Sequence, residues 1–445
     1  MSCLAGCTAG EDSAGPGGSF TLSPGEAMAT YATASWSAPG AASAHLSFAV
    51  DGEEQFILEA VDGESAEDQP VLGMWFGQTF EVSLVDDAGR VRDTQTYTTG
   101  EGSVTLAALA VSGRPTWNHY VGTGLLSSDP PAALVFGPAG KPVWFWENEG
   151  GEYIVRVVPR RGQDGMWVLL MPNPSTGAKG RLVAVAWDGS VIEGITPYGH
   201  AGEGVTHDFI ELEDGRLLFI AVDTREVDGV SHVGEALYEV GADGSEREVW
   251  SFWDAFVPDA GASGEGGWTH ANSLRWHEGR GTVWMGTRML NCIVEIDPDA
   301  GELVTVLGGT APTVALANGT QPPYEQHHFD FSGDRLLLHD NRDVFLGSRV
   351  VEYSLSFGEQ TVAEQTWEFV PSPVLYDFVL GDASYASDEE FLVTWSTAGL
   401  IEQRSRSGEV PWTTSLLLGT VYGYSELIPG LPGSRFVGNG SSETP

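Results

Sequence analysis

Three histidines and one arginine have the residue types and the local settings that group transfer requires. His207 occurs in THDFIEL, His270 in HANSLRW and His327 in QHHFDF, and Arg288 ends the segment GTVWMGTR. A neutral imidazole nitrogen can attack sulfur or phosphorus, and near neutral pH it can accept a proton and return it. An arginine guanidinium offers a planar fork of donors that fits tetrahedral oxyanions. Together these side chains predict transfer of a small anionic group.

The same three histidines could instead hold zinc or iron, because imidazole is a common ligand of both metals. Two observations weigh against this alternative. An adjacent arginine opposes a cation electrostatically, and the sequence contains no HExxH or other close spacing of ligands. We therefore expect no metal and keep a metal site as the alternative.

These segments belong to an internal repeat of a strand, a glycine-centred turn and a second strand. Six units of about 50 residues, each with several strands, predict a six-bladed β-propeller, since one blade is a four-stranded sheet. The expected propeller spans residues 116–440, and residues 421–437 are expected to close the ring on the first blade. The turns are centred on Gly140, Gly189, Gly244, Gly301, Gly358 and Gly408.

The order of strands in a blade predicts where the three histidines and Arg288 meet. The first strand lies innermost and the second runs antiparallel beside it, so the start of the first and the end of the second share one rim. Three histidines and an arginine are therefore expected at one end of the central channel. Strand alternation sends His327 and His328 to opposite faces, so that only one of them enters the channel. The expected neighbours are His207 with Asp223, His270 with Arg288, His327 with Asp340 and Asn341, and Asp382 with Ser396.

A separate β domain precedes the repeat. Residues 20–113 alternate apolar and polar side chains between turn signals, which predicts an antiparallel β-sandwich. The segment Arg92–Gly100 is similar to the closing strand of fibronectin type III modules, so the sandwich is expected to be of the immunoglobulin or fibronectin III kind. The fold class predicted for the whole chain is all-β.

The N-terminal segment, residues 1–19, reads as a truncated signal followed by a flexible tether. Leu4-Ala5-Gly6-Cys7 is similar to a lipobox, the site at which bacterial lipoproteins are cleaved and lipidated on cysteine. This predicts an exported protein, periplasmic or at the cell surface, with a lipid anchor at Cys7. The three cysteines, Cys3, Cys7 and Cys292, are too few for a disulfide framework.

The charge of the chain limits its partners. Of its 445 residues, 21 are Lys or Arg and 62 are Asp or Glu, which gives a formal net charge of −41. Such a surface repels polyphosphates and anionic lipid, so we expect no nucleic acid partner and no polybasic membrane patch. A small anionic substrate would need a locally positive pocket. The oligomeric state stays open, with a homodimer as one option.

The order of these segments resembles the bacterial aryl-sulfate sulfotransferases that work without the nucleotide donor PAPS. The resemblance extends over nearly the whole repeat, and the family has a six-bladed propeller preceded by a β-sandwich. It rests on THDF at 206–209, HANSL at 270–274, TR at 287–288, QHH at 326–328, HDN at 339–341, SRVVEYSL at 348–355 and LGDASY at 380–385.

The resemblance implies a role for each residue of the set. The family's transiently sulfated histidine falls on His327, its two other active-site histidines on His207 and His270, its asparagine on Asn272 and its sulfate-binding arginine on Arg288. It implies a ping-pong reaction from a small aryl sulfate donor to a phenolic acceptor, with no cofactor. We also expect Asn272, Asn341 and His328 to contact substrate.

Two other functions stay open at this stage. One is a metal-dependent propeller hydrolase or lactonase, which would contain tightly bound metal. The other is a propeller that binds glycans or proteins and has lost turnover.

Overall fold

A computed structural model describes residues 17–102, 109–172, 180–192, 204–258, 267–416 and 420–437. These residues form strands joined by turns, antiparallel except for the pairing of residues 315–316 with 362–363, and a short 3₁₀ turn at Phe252–Asp254. The lipobox with Cys7 and most of the predicted tether lie outside the described residues. The chain divides into two compact units, one of residues 17–25, 29–100 and 433–437, the other formed mainly by residues 101–432.

The first unit is a β-sandwich. One sheet has the order β1-β2-β6 and the other β35-β4-β3-β7-β8, with β5 paired to β3. Both sheets contribute to one apolar core, in which Trp36, Phe48, Phe56 and Phe80 are buried. The predicted kinship with immunoglobulin or fibronectin III domains stays a prediction. The strands are β1 (Ser19–Pro24), β2 (Ala32–Ser37), β3 (Ser43–Val50), β4 (Glu53–Leu58), β5 (Val61–Asp62), β6 (Ser65–Val71), β7 (Thr79–Asp86), β8 (Val91–Thr98) and β35 (Ser434–Phe436).

The second unit begins with a short edge strand, which is followed by the strands of the first three blades. Its first twelve strands are β9 (Ala110–Gly113), β10 (Tyr120–Leu125), β11 (Ala132–Phe136), β12 (Pro142–Glu147), β13 (Tyr153–Pro159), β14 (Gly165–Met171), β15 (Arg181–Ala186), β16 (Val191–Ile192), β17 (Val205–Glu211), β18 (Leu217–Val227), β19 (Val230–Val240) and β20 (Glu246–Ser251).

The remaining strands complete this unit. They are β21 (Ala271–His277), β22 (Thr282–Thr287), β23 (Cys292–Asp297), β24 (Glu302–Gly308), β25 (Ala315–Leu316), β26 (Phe329–Ser332), β27 (Arg335–Asp340), β28 (Arg349–Ser356), β29 (Val362–Phe369), β30 (Asp382–Tyr385), β31 (Glu390–Trp395), β32 (Leu400–Ser405), β33 (Trp412–Ser415) and β34 (Tyr422–Ile428).

These strands form six sheets, and the predicted β-propeller is confirmed. Blades 2, 3 and 4 are each four consecutive strands, β13-β14-β15-β16, β17-β18-β19-β20 and β21-β22-β23-β24. Blade 5 is β26-β27-β28-β29 with β25 added at its outer edge, and blade 6 is β30-β31-β32-β33 with β9 added there. The faces of neighbouring blades are apolar, as in the buried cluster that Trp167, Leu169, Phe209 and Phe219 form across blades 2 and 3.

The first blade is closed by the end of the chain, as the sequence predicts. Its order is β34-β10-β11-β12, and β34 pairs antiparallel with β10 through Tyr120 opposite Ile428 and Thr123 opposite Ser425. Gly124 and Gly423 allow this blade to approach blade 2 closely, because a Cβ at either position would overlap a carbonyl group of β13.

Two strands fall outside the ranges predicted for them. Strand β9, which the alternation pattern assigns to the sandwich, pairs with β33 in blade 6. Strand β35, which was expected to belong to the ring, pairs with β4 of the sandwich. Both are short edge strands, and their sequences do not show which sheet they join.

Candidate active site

The three histidines and Arg288 are predicted to share one rim of the propeller. In blades 4 and 5, backbone hydrogen bonds join the start of the first strand to the end of the second at this rim. The amide of Arg288 donates to the carbonyl of His270 over 3.0 Å. The amide of His327 donates to the carbonyl of His339 over 3.1 Å, at the end of β27. Arg288 therefore lies beside His270, and His327 beside the HDN segment, as the strand order predicts.

The three histidine side chains form one cluster. The ring centroids of His207 and His270 are 4.8 Å apart, and those of His270 and His327 are 6.4 Å apart. All three residues are buried, with exposed fractions of 4%, 9% and 1% respectively. Residues from three blades thus meet at a single place in the ring.

The backbone at two of these histidines has an uncommon conformation that directs their side chains. His207 has φ 53° and His270 has φ 49°, in the left-handed region that non-glycine residues seldom adopt. The pairing of their strands with the next strand also shifts register, between Thr206 and Phe209 in β17 and between Ala271 and Ser273 in β21. Such irregularities re-aim side chains and concentrate at functional sites.

Asn341 fixes which nitrogen of His327 is available for reaction. Its Nδ2 donates to the carbonyl oxygens of Asp377 and Leu380, over 2.9 and 2.8 Å, so the orientation of the amide is determined. Its Oδ1, which can only accept, lies 2.8 Å from Nδ1 of His327. The proton therefore resides on Nδ1, and Nε2 of His327 carries the unshared electron pair.

The cluster favours neutral imidazoles. Burial, together with repulsion from His270 and Arg288, holds the pKa of His327 well below its usual value. Burial and repulsion from His270 likewise hold the pKa of His207 well below the usual value. A neutral His327 with Nε2 unprotonated is the form that acts as a nucleophile.

Arg288 provides the positive charge at this rim. Its Nη2 lies 2.9 Å from Oε2 of Glu325, and about a quarter of its side chain is exposed. Its Nε is buried and has no hydrogen-bond partner among the described residues. An oxyanion placed beside Arg288 would supply the acceptor that this donor lacks.

The combination of a nucleophilic imidazole and an anion-binding guanidinium agrees with the comparison of the sequence with known families. The family model for arylsulfotransferases (ASST) matches residues 181–418. The chain belongs to this family. All the predicted site residues, from His207 to Asn341, lie within the matched region. The protein is thus an arylsulfotransferase by family.

Comparison with other proteins adds the following findings. No protein of curated function matches the chain. Among solved structures, a streptogramin B lyase is 13% identical, with 70% of this chain and 88% of the lyase covered and a TM-score of 0.38. A protein of unknown function from Bacteroides caccae is 11% identical, with 71% and 100% covered and a TM-score of 0.46. An auxiliary nutrient binding protein from Bacteroides ovatus is 11% identical, with 90% of each chain covered and a TM-score of 0.40.

Asn272, the asparagine that the family resemblance points to, is fully buried and binds the protein itself. Its Nδ2 donates to the carbonyl of Gln326 over 2.8 Å, and its Oδ1 accepts from the hydroxyl of Ser273 over 3.0 Å. Gln326 in turn donates to the carbonyl oxygens of Thr287 and Cys292. In this arylsulfotransferase, Asn272 thus holds the segment that carries His327 against blade 4. Its predicted contact with substrate stays a prediction.

His328 does not join the histidine cluster. Its Nδ1 lies 2.5 Å from Oδ1 of Asp382, and its Nε2 lies 2.9 Å from Nη1 of Arg156. Its ring also stacks on Tyr424, with centroids 4.7 Å apart. Because both ring nitrogens are occupied, the expectation that His328 contacts substrate is replaced by a role in the buried network of the inner strands. Asn341 is likewise occupied by His327 and two carbonyl groups, and its predicted contact with substrate stays a prediction.

Three predicted neighbours are also bound elsewhere. The carboxylate of Asp223 pairs with Arg225 at 2.7 Å, and that of Asp340 pairs with Arg349 at 2.8 Å. The hydroxyl of Ser396 accepts from the amide of Gly381 over 2.9 Å. These residues stabilise the rim and are not directed at the cluster.

Two further acidic residues lie beside the site and are not predicted from the sequence. Glu235, on β19, is buried and accepts hydrogen bonds from the Thr269 hydroxyl and the Ala271 amide, on either side of His270. Burial raises the pKa of Glu235 to about 7. Glu325 has φ 53° and donates its amide to Oδ1 of Asn291 over 2.7 Å. Neither lies in a recognisable motif, although Glu325 is two residues from His327.

Within the described residues, no group of three or more His, Cys, Asp or Glu side chains is arranged to hold a metal ion. No helix in the same part of the chain has the length and apolar character needed to span a membrane.

Proposed function

We propose that this arylsulfotransferase moves a sulfuryl group from a phenolic sulfate ester to a phenolic acceptor through a sulfated His327, without a nucleotide donor. The observation that carries the proposal is the hydrogen bond from Nδ1 of His327 to Asn341, which leaves Nε2 unprotonated in a cluster that also includes Arg288. The family membership supports the class of reaction, and the cluster supplies the groups that such a reaction needs.

The first half of the reaction sulfates the enzyme. The electron pair on Nε2 of His327 forms a bond to sulfur while the bond from sulfur to the ester oxygen breaks. The electrons of that bond remain on the phenolate oxygen, and the phenolate takes up a proton from solvent after it leaves. Arg288 binds the oxygens of the sulfuryl group, and His207 and His270 stabilise the leaving oxygen by hydrogen bonds.

The second half restores the free enzyme. The hydroxyl oxygen of a second phenol attacks sulfur, and its proton passes to a neutral histidine of the cluster. The bond between Nε2 and sulfur breaks, and its electrons return to His327. The histidine that accepted the proton releases it to solvent, where it replaces the one taken up by the first phenolate, so the cycle is balanced and that histidine is neutral again. The low pKa values of His207 and His327 keep both imidazoles neutral, as this cycle requires.

The decisive experiment uses a chromogenic aryl sulfate with and without an added phenol. We expect sulfation of the peptide containing His327 when the donor alone is present, and transfer to the phenol when it is added. His327→Ala should retain the fold and lose both. Sulfation of a different residue would contradict the mechanism, and release of free sulfate without an acceptor would indicate a hydrolase.

The two alternative functions give different results in the same assay. A metal-dependent hydrolase or lactonase would lose activity with a chelator and regain it with added metal. A binding propeller would show no turnover with any donor. Neither alternative accounts for the unpartnered Nε of Arg288 beside a nucleophilic imidazole.

A further inference from the structure

The rim that carries the histidine cluster is unexpectedly apolar for a chain with a net charge of −41. The alternating direction of the strands assigns each loop of the propeller to one of its two rims. On the described part of the opposite rim and the strand ends beside it, the exposed large apolar residues are Val191, Val304, Leu316 and Val410. On the histidine rim they are Val227, Val230, Val257, Met289, Tyr324, Val344, Phe345, Leu346, Val370, Val374 and Phe378.

Part of this apolar rim adjoins the active site directly. Met289 follows Arg288, Tyr324 precedes Glu325, and the loop 342–347 begins immediately after Asn341. The amide of Arg342 donates to the carbonyl of Tyr324 over 3.0 Å, which joins two of these segments. These side chains therefore border the residues at which a sulfuryl group would bind.

The loop that displays Phe345 is held in one conformation. Oδ1 of Asp343 accepts from the amides of Phe345 and Leu346, over 2.8 and 3.0 Å. The guanidinium of Arg342 donates to the carbonyl oxygens of Gly347 and Leu346, over 2.7 and 3.1 Å. Phe345 is 91% exposed in spite of this fixed backbone. A preformed apolar surface binds a ligand without a further cost of ordering the loop.

A cleft lies beside the loop and has room for an aromatic group. Its volume is about 600 Å³, within the range that holds small organic ligands. Tyr324, Leu346 and Leu290 line it, together with Pro322 and Pro323. Asp340, Arg342 and Arg349 also line the cleft, so apolar side chains and an aromatic ring stand beside charged groups there.

We propose that the apolar surface formed by Met289, Tyr324, Phe345 and Leu346 binds the part of a phenolic substrate that lies beyond the reacting ring. The enzyme then prefers phenols of two or more rings to phenol itself. This inference rests on the proposed function and names its substrate class.

The test compares acceptors of one and two rings. For phenol, 2-naphthol and 4-phenylphenol, kcat/KM is measured with a fixed aryl sulfate donor in the natural enzyme, Phe345→Ala and Leu346→Ala. We expect kcat/KM for the two-ring acceptors to fall about tenfold in Phe345→Ala, because a large apolar contact is lost, while kcat/KM for phenol changes less than about twofold. Val410→Ala, an exposed apolar residue on the opposite rim, is the matched control and should change neither.

Several outcomes would overturn the proposal. An equal change of kcat/KM for phenol and for the two-ring acceptors in Phe345→Ala, or no change for either, would show that the surface does not bind the additional ring. Loss of binding to phosphatidylcholine vesicles in Phe345→Ala would assign the surface to a membrane, and loss of a dimer in sedimentation would assign it to a second copy.

Failure of the proposed function gives a different result. In that case the natural enzyme transfers no sulfuryl group to any phenol. Calorimetric binding of 2-naphthol and phenol to the natural enzyme and to Phe345→Ala then still tests the surface. Tighter binding of 2-naphthol that depends on Phe345 supports the proposal, and equal binding of both phenols contradicts it.

Discussion

At the scale of single residues, the hydrogen bond between His327 and Asn341 determines how the reaction depends on pH. With the pKa of His327 held well below its usual value, the imidazole stays neutral at pH 6.5 and above, and protonation removes the nucleophile only in more acidic solution. Asn341→Asp places a carboxylate against Nδ1, which stabilises the imidazolium and raises this pKa.

We therefore expect the acid limb of the profile of kcat/KM against pH to move to higher pH in Asn341→Asp. Asn341→Ala should lower kcat/KM, because the ring loses its anchor, without moving that limb upward. A profile of Asn341→Asp that coincides with that of the natural enzyme would show that Asn341 does not set the protonation of His327.

Arg288 is expected to contribute to turnover and little to stability. Its side chain is partly exposed and pairs with Glu325, an arrangement of small energetic value in the folded protein. Arg288→Ala should lower kcat/KM by about 100- to 1,000-fold, as loss of a preorganised donor to a reacting oxyanion does. Thermal unfolding should change little. Arg288→Lys keeps the charge without the fork, and full activity in that variant would contradict a role in holding two oxygens.

We expect Glu325 to compete with the substrate for Arg288. Its carboxylate lies 2.9 Å from the guanidinium and repels the anionic oxygens of an incoming sulfate ester. Glu325→Gln should tighten inhibition by inorganic sulfate and lower KM for the donor about fivefold, equivalent to roughly 1 kcal/mol for a partly exposed pair. Glu359→Gln, which removes an exposed carboxylate from the opposite rim, is the control. Weaker inhibition by sulfate in Glu325→Gln would show that Glu325 assists anion binding.

The residue types at the site could be predicted from sequence, but their hydrogen-bond partners could not. The positions of His207, His270 and His327 in their strands predict one cluster, because strand order fixes the rim. Asn341 contacts His327, whereas Asp340 contacts Arg349. These contacts depend on the directions in which the two side chains project where β27 ends. Adjacent residues at a strand end have no periodicity that decides this.

At the scale of elements, the loop before β30 has to pass the ring of His339 closely. Gly381 has φ 101°, and a Cβ at this position would overlap the imidazole of His339. That imidazole lies 3.1 Å from Asp377, whose carbonyl accepts from Asn341, so the overlap would disturb the support of His327. Close packing of backbone on side chain therefore requires glycine here.

This packing predicts a difference between two glycine variants with the same backbone conformation. Gly408 has φ 100° and nothing within 4 Å of the position of a Cβ, so Gly408→Ala reports backbone strain alone, about 1 kcal/mol or somewhat more. Gly381→Ala should lower the free energy of unfolding further and reduce kcat. Equal losses of stability in both variants, measured by denaturant unfolding, would show that His339 moves aside without cost.

The blades themselves could be predicted because each turn repeats the same glycine at nearly the same interval. Outer strands are less regular. Strand β9 has four residues and β35 has three, and neither has enough length to show an apolar face that selects a sheet. Their pairing is decided by which edge lies nearby in the folded chain, and such proximity is not encoded locally.

At the scale of the whole molecule, net charge opposes the compact state. With 62 acidic against 21 basic residues, carboxylates repel one another at neutral pH, and dissolved salt screens this repulsion. We expect the melting temperature to rise by several degrees between about 0.02 M and 0.5 M sodium chloride. Sucrose at the same osmolality is the control, because it is excluded from the protein surface but does not screen charges. A rise in melting temperature with salt that exceeds the rise with sucrose indicates screening. A melting temperature that falls with salt would show that ion pairs such as Arg156 with Asp208 outweigh the repulsion.

The closure of the ring by β34 has a consequence for biosynthesis. Val421 donates its amide to the hydroxyl of Ser127, 294 residues earlier in the chain. The first blade to leave the ribosome therefore lacks its innermost strand until almost the entire polypeptide has been made. Until then the ring cannot close, and the first blade has an unpaired strand edge. A chaperone or a protease that binds this unpaired edge would distinguish truncated chains from full-length ones without contacting the active site.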